Sequence, residues 1–429
     1  MKKLLLVALF TTMVFSQYTD GNTVVTWSKY KWEPIGENPD LSWMDRSTDV
    51  AAYHSARNKV SRQLMSSMVL THFWTGESAD VAILGEFRNL GDVLLTTPVL
   101  TVLKRELQSG SRVDVLVYDD CKPILLENRD VTNIYTVQRK KPGLVKSIAR
   151  DINQWLKLRA HNYDLVINLT EGDRGALVSL FSGAKYRVGL EHKNSSNSWW
   201  KRQAYTHLYR TDLGKRPAVE QGLDALRRIG FNIKYQTEAA TLNISKIERE
   251  QAVSNLKQAN WKGKKYVVFH PTSRWLFKCI TPQQSAEIMH SLIEYGFEIV
   301  MTAGPDRREN LMINNILSEY SGDVVNLADK LSLRELAAVI KNATIIVGAD
   351  SVPIHMAAAL NTPSLVWFGP SNEKVWGPWM AKHQIVSLDY SCRPCGVDGC
   401  GGGKRSECLI NIDRNDFIAA IENLIKGVA

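Results

Sequence analysis

Near the C-terminal end of this chain, Asp350, Ser351, Pro353 and His355 follow directly on the β-branched run Ile345-Ile346-Val347. That order predicts a buried parallel strand ended by Gly348, then a helix. Asp350 and Ser351 are both suited to cap the helix, and Pro353 fits its first turn, where a missing N–H costs nothing. His355 to Leu360 reads as helix, Asn361-Thr362-Pro363 stops it, and Ser364 to Phe368 is the next strand. A helix N-terminus at the C-terminal edge of a parallel sheet attracts phosphate through its free N–H groups and its dipole. Three further loops fall at strand ends in the same manner: Gly91-Asp92, His270-Pro271-Thr272-Ser273 and Gly304-Pro305-Asp306. The chemistry on offer is therefore anion binding, with carboxylates alongside.

Two other clusters stand out. Lys185, Arg187, Lys193, Trp199, Trp200, Lys201 and Arg202 make a basic, aromatic segment. Such a segment suits anionic groups, a membrane interface, or plain solvent. Cys392, Cys395, Cys400 and Cys408 have C-x2-C-x4-C-x7-C spacing in a glycine-rich stretch that could wrap a structural zinc ion. Disulfides there would require export, and a disulfide framework spanning the fold is disfavoured because four of the six cysteines crowd into that one stretch.

The elements that must carry these residues alternate. Val81 to Leu84 is a buried-type strand, a helix runs from about Val93 through Leu107, and strands follow at Val113–Val117, Asn133–Val137 and Leu165–Leu169. A basic amphipathic helix is expected between residues 144 and 161. The alternation restarts at Tyr266–His270, with strands at Glu298–Thr302 and 324–326 and helices from about Thr281, Arg307 and Leu333. Two successive α/β units with parallel sheets follow from this, with a boundary near residues 241–262. Their strand-end loops would line opposing walls of a cleft. Neither unit has G-x-G-x-x-G, which disfavours a dinucleotide, and no G-x-x-x-x-G-K-[ST] is present. Gly399 to Lys404 falls short of that phosphate loop, since Asp398 stands where the first Gly belongs.

With 429 residues, 44% hydrophobic and 23% charged, the chain suits a soluble protein of two or three domains. A net charge of +9 fits an anionic substrate, a membrane surface or nucleic acid without choosing among them. Residues 1–16 look like a secretory signal: Lys2-Lys3, then an apolar run from Leu4 to Phe15 too short to span a membrane comfortably. Residues 17–80, with tryptophans and tyrosines scattered among polar residues, read as an accessory extension without a chemical motif.

Several motifs in order resemble a known family. R-x-L-G-D-V-L-x-T-T-P from Arg88 to Pro98, H-P-T-S-R-x-x-x-K from His270 to Lys278, G-x-D-S-x-P-x-H-M-A-A-A from Gly348 to Ala359 and F-G-P-S from Phe368 to Ser371 look like the lipopolysaccharide heptosyltransferases of glycosyltransferase family 9. The runs HPTSRWLFK and PCGVDGCGGGK most resemble the heptosyltransferase III branch. The resemblance covers about residues 81–429. It implies a GT-B fold, with an acceptor domain at 81–250 and a nucleotide-sugar domain at 251–429, both Rossmann-like and doubly wound. It implies ADP-heptose as donor, a lipid-linked inner-core oligosaccharide as acceptor, and an inverting reaction.

Under that resemblance Asp92 matches the general base, whose alternative role is a plain helix cap. Thr272, Ser273 and Lys278 match the diphosphate contacts, and Asp350, Ser351 and His355 match positions near the donor sugar and phosphates. Glu309 is the candidate for the adenosine ribose. Arg88, Lys185, Arg187, Lys201 and Arg202 fall in the domain that binds acceptor. With no D-x-D motif, no catalytic metal or other cofactor is expected, and no nucleic acid partner. The enzyme would work in the cytoplasm, peripherally on the inner membrane. The signal-like start conflicts with that, because nucleotide sugars are cytosolic. The alternatives are a transferase for another nucleotide sugar, or a catalytically silent exported binding protein on the same scaffold.

Overall fold

The computed structural model describes residues 79–84, 89–139, 153, 155–191 and 199–426. The signal-like segment, the accessory extension up to residue 78, Arg88, Lys193 and most of the expected basic helix lie outside these; Asp80, expected in the extension, already belongs to the first strand. The remaining elements form two parallel six-stranded sheets with helices between the strands. The first lobe holds β1 (Asp80–Leu84), β2 (Arg112–Tyr118), β3 (Asn133–Val137), β4 (Leu165–Asn168), β5 (Tyr186–Leu190) and β6 (His207–Tyr209) in the order β3-β2-β1-β4-β5-β6. The second holds β7 (Tyr266–His270), β8 (Glu298–Met301), β9 (Val325–Asn326), β10 (Ile345–Ala349), β11 (Ser364–Trp367) and β12 (His383–Val386), in the order β12-β11-β10-β7-β8-β9. Each sheet reverses its strand order beside its first strand, between β1 and β4 and between β7 and β10. A crevice opens at such a point, outside the carboxyl ends of the strands.

The sequence shows why these segments are strands. β7 and β10 are buried at every position, as expected of central parallel strands covered by helices on both faces. Gly348 lies inside β10 rather than ending it: a Cβ there would come 2.5 Å from the carbonyl oxygen of His270 on β7, so only glycine lets the two strands approach this closely.

The helices used below are α1 (Leu90–Glu106), α2 (Asp173–Phe181), α3 (Ala218–Arg228), α4 (Lys246–Gln258), α5 (Pro282–Glu294), α6 (Arg307–Glu319), α7 (Leu333–Asn342), α8 (Val352–Ala359) and α9 (Arg414–Lys426). Three of them begin with capping boxes readable in the sequence: Ser245 with Glu248, Thr281 with Gln284, and Ser332 with Glu335. α1 starts three residues before the expected Val93, because Asn89 is its N-cap and Leu90 and Gly91 already belong to the first turn. α8 ends where expected, with Asn361 in the left-handed conformation at φ 56°.

One hydrophobic cluster runs from Val93, Leu94 and Leu100 on α1 to Ile354 and Met356 on α8 and to Trp379, so the two lobes share apolar packing. Polar bonds join them as well. Asn372 Nδ2 donates to the Gly214 carbonyl at 2.8 Å, Trp379 Nε1 to that of Glu238 at 2.8 Å, and an Arg334 guanidinium nitrogen to that of Pro123 at 3.3 Å. Among the described residues, no helix is long and apolar enough to cross a membrane.

Candidate active site

The two crevices meet. α1 leaves the reversal point of the first sheet and α8 that of the second, and their first turns touch. A Cβ on Gly91 would lie 3.4 Å from His355 Cδ2 and 3.9 Å from a methyl of Val352. Asp92 occupies the third position of α1, half-buried. Asn89 Nδ2 donates to its Oδ2 at 3.1 Å. Burial raises the Asp92 pKa above the ordinary aspartate value, against the opposing pull of the Asn89 hydrogen bonds and the charge on Lys278. A carboxylate with raised basicity and a lysine from the other lobe thus share one cleft.

The donor-side residues form two knots. In the first, Lys278 Nζ donates to Asp350 Oδ2 at 2.6 Å, and the carbonyl of Lys278 accepts from Trp367 Nε1 at 3.1 Å. The stretch after β7 is thereby drawn across β10 to β11. Asp350 does not cap α8; its carboxylate is committed to Lys278. Ser351 is the N-cap by backbone geometry, yet its hydroxyl donates to the Ala349 carbonyl at 3.1 Å and makes no capping bond. The first turn of α8 therefore has no side-chain cap covering its amide groups. His355 is buried, and its Nδ1 has no hydrogen-bond partner among the described residues. Burial lowers its pKa; Asp350 works against that shift and Lys278 with it. The ring is consequently neutral at physiological pH.

In the second knot, Thr272 Oγ1 donates to Glu309 Oε2 at 2.8 Å, and the Gly304 amide donates to the same oxygen at 3.2 Å. Glu309 is buried on the first turn of α6 and ties the ends of β7 and β8 together. Ser273 is buried too, and its hydroxyl accepts from the Trp275 amide at 3.3 Å. His270 Nδ1 lies 2.9 Å from Thr302 Oγ1, and burial pushes its pKa down to about 4, so it too stays neutral.

The basic segment of the first lobe is built differently. Arg187 turns inward and donates to the carbonyls of Ala204 at 2.8 Å and Ala184 at 2.7 Å. Lys201 pairs with Asp173 at 2.5 Å, Arg202 with Glu191 at 3.0 Å, and Lys185 lies over the Tyr186 ring at 5.2 Å.

All four clustered cysteines are free thiols; Cys408 is buried and the others are exposed. Burial raises the Cys408 pKa, and Cys400, Cys395 and Cys392 add to that rise while Arg393 opposes it. Among the described residues, no three His, Cys, Asp or Glu side chains are already grouped as metal ligands. Hydrogen bonds hold the loop instead: Arg393 donates to the carbonyls of Gly369 at 2.7 Å and Leu388 at 2.6 Å, Gly396 N to that of Pro370 at 2.9 Å, and Ser406 Oγ to that of Phe277 at 2.6 Å. Gly399, at φ 91°, has no room for a Cβ, which would fall 2.5 Å from the Arg405 amide.

The sequence reading missed Asn89 and Trp367. Asn89 carried a signal, being an N-cap residue three positions before the carboxylate. Trp367 carried none, since its partner lies 89 residues earlier in the chain.

Residues 153–404 match Glycosyltransferase family 9 (heptosyltransferase). This chain belongs to that family. The lipopolysaccharide heptosyltransferase 3 of Escherichia coli is 33% identical over 340 residues, covering 79% of this chain and 97% of the relative. Among solved structures, a family 9 glycosyl transferase from Veillonella parvula superposes with a TM-score of 0.70 at 20% identity, covering 82% of this chain and 98% of that one. The E. coli ADP-heptose lps heptosyltransferase II superposes with a TM-score of 0.64 at 20% identity, over 82% of this chain and the whole of the other. The protein is therefore a glycosyltransferase with the expected GT-B architecture.

Proposed function

We propose that this enzyme transfers a heptose from ADP-heptose to the inner core of lipopolysaccharide, with inversion and without a metal on the diphosphate. The observation that carries the proposal is the meeting of Asp92 with Lys278 and Asp350 where the two crevices touch. The E. coli relative is a lipopolysaccharide heptosyltransferase, and the description of the structure from the same organism names ADP-heptose.

In this reading the acceptor hydroxyl attacks the anomeric carbon as Asp92 takes its proton, and the bond from that carbon to the diphosphate oxygen breaks. ADP departs with the bonding electrons. Lys278 and the uncapped first turn of α8 offset the charge that grows on it. Asp350 holds the ammonium in place, and neutral His355 fills the space between the two lobes without adding charge. Thr272 and Ser273 line the diphosphate path, Ser351 stands at the α8 N-terminus, and Glu309 reaches the adenosine ribose while fixing Thr272. Lys185, Arg187, Lys201 and Arg202, with Arg88, serve the acidic acceptor; Arg187 does so by shaping β5 rather than by direct contact. The basic, aromatic surface would rest on the cytoplasmic face of the inner membrane, where donor and lipid-linked acceptor meet. A structural zinc on Cys392, Cys395, Cys400 and Cys408 is a separate proposal with no catalytic step: the other three thiols lie near enough to Cys408 to add to the rise in its pKa.

The test is ADP release with ADP-heptose and a core oligosaccharide acceptor, alongside calorimetry of ADP, UDP, GDP and CMP. Tightest binding of ADP and acceptor-dependent release are expected. Tighter binding of another nucleotide would instead assign a different nucleotide sugar. The signal-like start favours a second reading, an exported and silent binding protein. A mature chain beginning near Gln17 and recovered outside the cytosol would establish that one and overturn ours.

A further inference from the structure

Beyond Lys278, on the side away from Glu309, the cleft continues into a pocket of about 360 Å3. Strand order explains its position. Thr272, Glu309 and Asp350 follow β7, β8 and β10, whereas the pocket lies at the end of β11, one strand further along the sheet. Lys278 is common to both, because the Trp367 bond draws its main chain towards β11. Leu213 and Gly214 of the first lobe close the far side, held to the second lobe by the Asn372 bond to the Gly214 carbonyl.

The lining has a specific chemistry. Trp376 is half-buried, its body packed on the hydrophobic core. Ser371 and Asn372 stand on the same wall, and among the described residues of the lining Lys278 is the only ionisable side chain apart from the Cys395 thiol. Among the described residues, the Ser371 hydroxyl and the Trp376 indole N–H make no hydrogen bond to protein, and no carboxylate lines the pocket. The Asn372 amide is engaged at both ends, with the Gly214 carbonyl and the Lys374 amide. An anchored aromatic surface beside an unengaged hydroxyl and an indole N–H suits a neutral polyol ring, which offers one apolar C–H face and a rim of hydroxyls. A nucleotide base would find little here to fix its edge, and the one cation of the lining, Lys278, already serves the diphosphate in the proposed function.

We infer that this pocket is a sugar subsite in which Trp376 stacks on a pyranose ring of a substrate and Ser371 reads its hydroxyls. The inference rests on the glycosyl-transfer reading for the identity of the substrate, not for the chemistry of the pocket. The ring has two sources with the same chemistry, the transferred sugar of the donor and the attacked sugar of the acceptor.

The test compares the full-length parent enzyme with Trp376→Leu, Trp376→Phe and Ser371→Ala. Loss of an aromatic contact of this kind lowers a binding constant by about tenfold. Trp376→Leu should raise the KM of one sugar substrate by about that factor and leave the Kd for ADP, which carries no transferred sugar, within about twofold. Trp376→Phe should restore most of the loss, and Ser371→Ala should lose less. A rise confined to the donor KM places the transferred sugar in the pocket; one confined to the acceptor KM places the attacked sugar there. Unchanged KM values for both in a variant that still binds ADP would overturn the inference. So would a parallel loss of ADP affinity in Trp376→Leu that Trp376→Phe does not relieve. If the parent enzyme itself fails to turn over ADP-heptose, the proposed function fails by itself. Saturation-transfer NMR with a panel of free glycosides, parent against Trp376→Leu, then decides the pocket separately: a glycoside signal lost in the variant supports it, and equal signals overturn it.

Discussion

The donor edge of the second lobe and the basic surface of the first use the same residue types to different ends. At the donor edge the Lys278 side chain is 22% exposed and its partner Asp350 is 6% exposed. On the basic surface Arg202 is 51% exposed and Arg210 71%, and both share Glu191. A pair withdrawn from water has a fixed geometry and a high cost of separation. A pair in water is screened by salt and contributes little to stability. The donor edge is accordingly preorganised, whereas on the basic surface the guanidinium groups of Arg202 and Arg210 stay in water around a Glu191 side chain that is itself 12% exposed.

The sharpest break in that comparison is at Asp92, on the cleft side of the first lobe. Asp92→Asn should lower turnover by about 10²–10⁴-fold while ADP affinity holds, because Asn keeps size and polarity but not basicity. Near-parental turnover with both substrates saturating would reduce Asp92 to a helix cap. In the parent, kcat/KM should fall on acidification through a limb above the ordinary aspartate pKa, since burial raises that of Asp92, and the variant should lack this limb. Stability moves the other way. A carboxyl whose pKa is raised by folding disfavours the folded state once pH climbs past that value, so the Asn variant should resist urea at neutral pH at least as well as the parent.

Lys278→Met should cost about 10²–10³-fold in turnover, the scale of removing one preorganised charge-stabilising donor. It also leaves Asp350 buried without its partner, so the urea midpoint should drop. Adding Asp350→Asn should recover the midpoint but not the rate. Recovery of both would show that the pair is structural only.

Replacing Lys185 or Arg202 with Ala should change acceptor kcat/KM by no more than about fivefold at physiological salt, and by more at low salt. An effect as large as that of Lys278→Met would erase the contrast between the two regions. The cysteine loop is the smallest case for catalysis. Purified protein should carry about one equivalent of zinc, and its removal by a thiol-blocking reagent should lower thermal stability and leave the ADP Kd within about twofold. Metal-free protein whose four loop thiols titrate freely would end the zinc proposal.

Much of the fold was legible in local pattern. Tyr266-Val267-Val268-Phe269 and Ile345-Ile346-Val347 announce central strands by their composition, and Ser245, Thr281 and Ser332 announce helix starts by their spacing to Glu248, Gln284 and Glu335. Boundaries were less legible. The sequence places the start of α1 at about Val93 because Gly91 is a poor helix former and obscures a start at Leu90, and it reads Gly348 as a strand end, whereas that residue lets β10 approach β7.

What the sequence alone determined was the alternation of strands and helices and the residue types at each strand end, because both follow from periodicity and capping within a few neighbours. The partners of those side chains were settled only by tertiary structure. Asp350 answers Lys278 rather than its own helix, Glu309 is spent on Thr272 and Gly304, and Arg187 faces inward to two carbonyls. Side chains 72, 37 or 17 residues from their partners meet only when the sheets assemble. The same assembly sets how much water each charge keeps, and that in turn raises the basicity of Asp92 and leaves His355 neutral.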